Sequence, residues 1–223
     1  MALVLNIETA TTNCSVSLSK DGETLVLKED NSAGYSHAET LHVFMDDVFK
    51  AAKLNPLGID AVAVSRGPGS YTGLRIGVSS AKGLCFALNK PLIAVDTLES
   101  LAHQVNSDDG YIVPMLDARR MEVYSAIYNS KLELYREIKS EILTEESYSN
   151  LLSQSKVYFV GNGVEKTKSI IKHPNAIFIE DKLPSANEMS KLSEIKYKIS
   201  DTEDVAYFEP YYLKDFITVK KKN

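Results

Sequence analysis

The chain has 223 residues, 44% hydrophobic and 25% charged, with a formal net charge of −5. That length allows two domains of ordinary size with sizeable cores, while a pI near 5.5 excludes the basic footprint of a protein that grips nucleic acid unaided. No run of about 20 apolar residues is present, and the apolar start at 2–7 lacks a basic leader, so a cytoplasmic protein without a membrane partner is expected.

Residues 2–8, ALVLNIE, read as a short apolar strand ending in a carboxylate, Glu8. A second strand at Cys14 to Ser19, the turn Lys20-Asp21-Gly22-Glu23, and a third at Thr24 to Glu29 make an antiparallel meander. Cys14 and Cys85 stand in apolar contexts without metal-ligand spacing, which points to buried thiols and not to a disulfide or zinc site. From about Ser36 to Leu54, Leu41, Phe44, Met45, Val48 and Ala52 share one helical side and Asp46, Asp47 and Lys50 the other. His37 and His42 are separated by about 140° on that helix and share no face, which argues against a joint metal site. His37 suits a capping or loop contact, and His42, beside Val43, borders a candidate partner surface.

A buried strand, Asp60 to Ser65, then runs into the block SRGPGSYTGLRIGVSSAKGLCFAL at 65–88. Gly67, Gly69, Gly73 and Gly77 crowd its first half, and a strand, a glycine-rich turn and a helix start could cradle an anion. It is not a P-loop, since no Gly-Lys-Ser/Thr follows, and it lacks the dinucleotide spacing. Ser70, Tyr71 and Thr72 have no His/Asp pair placed by sequence to activate them, so helix capping fits them better than a nucleophile. On the helix at 72–88, Leu74, Val78, Ala81, Cys85 and Leu88 form the core stripe. A further face holds Gly73, Ile76, Gly77, Ser80, Gly83 and Ala87, nearly all small; it serves either tight packing within the domain or docking of another subunit. A strand at Pro91 to Val95 and a helix at Leu98 to Val105 follow, and parallel strands joined by helices require an α/β sheet.

The second half repeats this order. Tyr111 to Asp117 is an apolar strand ending in a carboxylate, Val123 to Asn129 and Leu134 to Leu143 complete a meander, and Glu145 to Ser153 reads as a helix. Strand Val157 to Val160, the turn Gly161-Asn162-Gly163, helix Val164 to Lys172 and strand Ala176 to Ile179 come next. A helix at Ser185 to Ser193 and a strand-like Glu209 to Leu213 close the chain, and Lys220 to Lys222 read as a frayed tail. Two copies of meander, helix, strand, helix, strand are the architecture shared by actin, sugar kinases and heat-shock ATPases. The expected class is therefore α/β, an actin-like (ribonuclease H-like) duplicated two-domain fold, each domain a mixed sheet with flanking helices. The domains are expected at 1–106 and 107–223, with the last segment free to join either sheet.

The stretches LNIETATTNCSVSL, SRGPGSYTGLRIGVSSAKGLCFALNKPLIAVDTLESLA, PMLDARRMEVYSAIY and EPYYLK, spread over essentially the whole chain, resemble the TsaB family, also called YeaZ. The resemblance implies a subunit needed for threonylcarbamoyl transfer to the adenosine beside the anticodon of transfer RNA. It implies as partners the catalytic paralog TsaD, the ATPase TsaE with its ATP, transfer RNA indirectly, and a second copy of the chain when TsaD is absent. TsaD-type proteins carry His-x-x-x-His where the strand KPLIAV enters its helix, a pair able to hold metal. Thr97 and Leu101 stand there in this chain, which implies a non-catalytic member without a cofactor or metal. Glu99 and His103 nearby read as solvated helix residues.

Glu8 and Asp117 occupy the strand ends where actin-like phosphotransferases place carboxylates for magnesium or a general base. With Thr9, Thr11, Gly161 and Gly163 they are read as the remnant of a nucleotide site, now hydrogen-bonded structurally. Catalytic residues are not assigned. Gly73, Ile76, Gly77, Ser80, Gly83 and Ala87, with His42, are the expected docking residues. A metal-dependent glycoprotease-like peptidase and a small-molecule kinase are the enzymatic alternatives. Arg119 and Arg120 in LDARR read as surface arginines of a turn, with an anionic ligand or transfer RNA as their functional alternative.

Overall fold

The computed structural model of the chain describes residues 2–31 and 37–214. β1 (Leu3–Glu8), β2 (Cys14–Lys20) and β3 (Glu23–Asp30) form the opening meander. Asp21 and Gly22 give the β2–β3 reversal the two positive φ angles, 55° and 83°, that a two-residue hairpin turn needs. α1 (His37–Ala52) follows, then β4 (Ala61–Gly67), α2 (Tyr71–Leu88), β5 (Leu92–Asp96) and α3 (Thr97–Ala102). The first sheet has the order β3-β2-β1-β4-β5, with β4 parallel to β1 and to β5.

The second sheet is built from β6 (Tyr111–Asp117), β7 (Glu122–Asn129), β8 (Leu134–Ile142), β9 (Val157–Val160) and β10 (Ala176–Ile179). Its order, β8-β7-β6-β9-β10, repeats the first, with α4 (Ser149–Leu152) and α5 (Val164–Ile170) in the places of α1 and α2. α6 (Ala186–Lys198) closes the regular structure. No described helix is long and apolar enough to cross a membrane.

Strand alternation sends successive side chains to opposite faces, and both faces of the first sheet are covered. Leu5, Ile7, Val62 and Val64 pack under Leu41, Met45 and Val48 of α1 and Val78, Ala81 and Cys85 of α2. Val4, Ala61, Ala63, Ile93 and Val95 pack under Ala186, Met189 and Leu192 of α6. Conversely, Leu98, Leu101 and Ala102 of α3 lie against Ile112, Leu116 and Ala126 of the second sheet. Each half thus lends a helix to the other. Hydroxyls fix the seat of α6: Ser17 Oγ donates to Ala186 O (2.7 Å), Ala186 N donates to Ser15 Oγ (3.0 Å), and Ser193 Oγ donates to the buried Asn6 (2.7 Å).

Three expectations are corrected. The helix expected at Glu145 to Ser153 is confined to Ser149–Leu152, because Tyr148 takes a left-handed backbone (φ 61°) and Ser147 Oγ accepts from Thr144 N in a turn ahead of it. α6 runs past Ser193 to Lys198. Glu209 to Leu213 form no strand; one backbone bond, Tyr211 N to Arg66 O (2.7 Å), holds them beside β4. The expected helix start at Ser36 and the run Lys220 to Lys222 lie outside the described residues.

Candidate functional site

β1 delivers Glu8 to the sheet's end fully buried. Its Oε1 accepts from Ala10 N (2.6 Å) and Ser65 Oγ (2.9 Å), while Oε2 has no partner among the described residues. Burial pushes the carboxyl up from 4.5 to about 7, against the lowering effect of the hydrogen bonds to Ala10, Ser65 and Thr9. The segment after it is closed by α2. Thr9 Oγ1 donates to Gly73 O (2.8 Å), and a Cβ at Gly73 would meet Thr9 O at 2.1 Å, one at Gly77 Thr9 Oγ1 at 2.2 Å. Ser70 caps α2 by accepting from Gly73 N (3.2 Å), as its sequence context suggests. Thr11 is buried, its carbonyl 2.7 Å from His37 Nε2, so His37 makes the expected loop contact.

The equivalent end of β6 is built differently. Asp117 is exposed, its Oδ1 accepting from Arg119 N (2.6 Å) and pairing with Lys166 Nζ (2.8 Å). Gly161 (φ 112°) has no room for a Cβ, which would lie 2.3 Å from Met115 O, and Gly163 starts α5 against Val123 and Met115. Two open cavities of about 440 and 500 Å³ adjoin, sharing Asn31, Asp181, Lys182 and Leu183. Of the remnant residues Glu8, Thr9, Thr11, Asp117, Gly161 and Gly163, Gly161 alone lines either of these cavities.

The small face of α2 divides in two. Gly73 and Gly77 are buried against Thr9, which corrects the expectation that they contact a partner: the close approach they permit is made within the chain. Ile76 and Ser80 are half-buried, Ile76 packing on the core and Ser80 Oγ lying 3.5 Å from His42 Nε2 of α1. Gly83, whose Cβ would meet nothing within 4 Å, and Ala87 face outward. Next to them on α2 stands Phe86, 85% exposed, and on α1 Val43, the neighbour of His42, is 55% exposed. Lys82 Nζ donates to Ala206 O (3.1 Å) and Phe208 O (2.9 Å), bringing Tyr207, also 85% exposed, to the α2 border. Phe86 and Tyr207 were missed in the sequence, although Phe86 stood out as an aromatic residue off the core stripe.

Thr97 and Leu101 are buried between the two halves, and His103 Nδ1 lies 2.9 Å from Glu99 O. The described residues contain no group of three or more His, Cys, Asp or Glu side chains able to share a metal ion. Cys14 and Cys85 are buried free thiols, and burial pushes Cys85 up to about 11.

Two sheets of the same β-meander–α–β–α–β order, carboxylates ending their first strands and a helix exchanged between halves define a duplicated actin-like α/β protein. A family model described as TsaD: tRNA N6-adenosine threonylcarbamoyltransferase matches residues 31–220. The chain is similar to the tRNA threonylcarbamoyladenosine biosynthesis protein TsaB of Haemophilus influenzae, 31% identical over 98% of this chain and 96% of that one. It is similar to TsaB of Escherichia coli at 30%, over 98% and 97%. Among solved structures it resembles YeaZ from Pseudomonas aeruginosa, 26% identical with a TM-score of 0.82, over 96% of this chain and all of that one. The chain belongs to the family that this model describes and, within it, to the TsaB proteins of tRNA threonylcarbamoyladenosine biosynthesis.

Proposed function

We propose that this chain is a non-catalytic subunit of the assembly that transfers a threonylcarbamoyl group to the adenosine 3′ of the transfer RNA anticodon, acting as partner and scaffold of TsaD, with TsaE and its ATP joining the assembly. The observation that carries the reading is the outer face of α1 and α2, where Val43, Gly83, Phe86 and Ala87 leave an apolar surface open beside Tyr207. Glycine and alanine beside an exposed aromatic ring let a second helix approach closely and give it an anchor. Glu8, sealed with Ser65 and Ala10, and Asp117, neutralised by Lys166, support the non-catalytic part, as do the buried Thr97 and Leu101 where catalytic relatives carry histidines. The same face mediates self-association when TsaD is absent.

Co-purification with TsaD of the same organism, followed by assay of modified transfer RNA with each protein alone and together, tests this. Modification that needs both proteins is expected, and Phe86→Asp is expected to weaken association about tenfold or more while leaving the fold intact. Turnover by this chain alone would overturn the non-catalytic reading, and unchanged association of the Phe86→Asp variant the docking face.

A further inference from the structure

The last described stretch, 203–214, contains one isolated bridge and no helix or strand, yet it is held along most of its course. Glu203 N donates to Leu92 O (2.8 Å) at the outer edge of β5. Val205 and Phe208 pack on the core that α1 and α2 cover, and Lys82 of α2 holds the carbonyls on either side of Tyr207. Tyr211 N then donates to Arg66 O, and the chain passes so close to β4 that a Cβ at Gly67 (φ 113°) would meet Tyr211 O at 2.8 Å. The Tyr212 ring lies 5.0 Å from that of Tyr71 at the start of α2. The stretch is thus seated on the first half from β5 to the β4–α2 turn.

Its end crosses to the second half. Lys214 pairs with Glu122 and lies over the Tyr124 ring, 5.8 Å from its centroid, both residues of β7. Among the described residues no other hydrogen bond, ion pair or ring contact joins 203–214 to the second half. The Lys214 side chain is 40% exposed and that of Glu122 24%, so the pair is open to screening by salt. What the pair holds reaches the cavities. Lys166 of α5 staples the turn beside Glu122, its Nζ donating to Arg120 O (2.7 Å) and Glu122 O (3.2 Å) while pairing with Asp117. Val164 and Glu165, in the first turn of α5, line the larger cavity, and Asn31, just past β3, lines it from the first half. The adjoining cavity has Leu27 and Glu29 of β3 on one side and Asp181 to Leu183 on the other.

We propose that residues 203–214 act as a strap, with Lys214 as its clasp, that holds the two halves at a fixed opening and so sets the width of the cavities between them. An exposed ion pair with one cation–ring contact is a weak tie beside the packing and hydrogen bonds that seat the rest of the strap. The clasp is therefore the point that gives. Once it is released, the β6–β7 turn and α5, stapled together by Lys166, move away from β3 as one body while the strap stays on the first half. The device needs no partner and stands apart from the docking face.

The test uses the full chain with spin labels on Leu25→Cys of β3 and Ser169→Cys of α5, both exposed positions, the native Cys14 and Cys85 being buried. Pulsed electron resonance reads the distance between the labels. Lys214→Gln, added to this labelled chain, is expected to lengthen the mean distance by more than about 2 Å and to broaden its distribution. The labelled chain that keeps Lys214 is expected to move the same way between about 0.01 and about 1 M salt, as the screening length falls from about 30 to about 3 Å, and the Lys214→Gln chain to stay where it is. The exchanged pair Lys214→Glu, Glu122→Lys is expected to restore most of the short distance at low salt. Amide exchange in β7 and β8 is expected to be the same with Lys214 and with Lys214→Gln. Equal distances for those two chains at low salt, or no recovery in the exchanged pair, overturn the proposal. So does faster amide exchange of β7 and β8 in Lys214→Gln, which would make the lysine a support of its own sheet and not of the angle between the halves.

Discussion

Glu8 shows how little a residue's position in a pattern says about its present work. The sequence placed a carboxylate at the strand end and could not tell a metal ligand from a buried remnant, because the difference lies in what covers it. Ser65 and Ala10 hold it, and its side chain has no solvent-exposed surface. Its folded pKa of about 7 exceeds the ordinary 4.5, so the native state holds the proton more tightly than the unfolded chain. The stabilisation linked to that proton is complete below pH 4.5 and is lost as pH rises through 7. Glu8→Gln is expected to be the more stable protein at pH 8, by up to about 3 kcal/mol, with the advantage vanishing near pH 4.5. Urea midpoints of both proteins across that range check it; a constant difference would mean that Glu8 stays ionised.

Helix α2 carries two kinds of glycine that a helical wheel cannot separate. Gly73 and Gly77 admit Thr9, whereas Gly83 faces open space. Gly77→Ala is expected to destabilise the chain by about 1–3 kcal/mol through overpacking, and Gly83→Ala to stabilise it by about 1 kcal/mol, the usual helix penalty of glycine removed. Thermal unfolding of the two variants should move in opposite directions, and a shared sign would refute the division of the face. Period alone placed β1, β2, the α1 and α2 stripes, β6, β9 and β10 closely, since those segments obey one repeat and end on turn residues. It failed where a tertiary contact outweighed the local pattern. Tyr148 delays the start of α4 with a left-handed backbone that no propensity announces, and Tyr211 to Leu213, apolar enough for a strand, meet β4 through a single bond. The docking candidates were half legible: outward Gly83 and Ala87 were visible, but that Gly73 and Gly77 serve Thr9 depends on a residue more than sixty positions away.

At the scale of the molecule, the duplicated order of elements was readable, and the exchange of helices was not. α6 presents Ala186, Met189 and Leu192 to Val4, Ala61, Ala63, Ile93 and Val95, yet nothing in its own periodicity names the sheet it covers. Met189→Ala is expected to cost about 2–5 kcal/mol and, in native-state hydrogen exchange, to loosen β1, β4 and β5 of the other half. Faster exchange confined to β9 and β10 would contradict the crossed packing. The serine hydroxyls of β2 under α6 belong to the same arrangement: they make the seat specific, since a slipped helix would cost Ser17 Oγ its acceptor, Ala186 O, and Asn6 Oδ1 its donor, Ser193.

The crossing of α6 also sets an order of events in synthesis. β5 leaves the ribosome with one face of its sheet bare, and the residues that cover that face are still to be translated, about 90 codons later at roughly 5–20 residues per second. For several seconds the nascent first half shows Val4, Ala61, Ala63, Ile93 and Val95 to solvent as a broad apolar sheet. The first half of this protein is thus the last to be finished, and the interval is one in which a chaperone, rather than a functional partner, has reason to hold it.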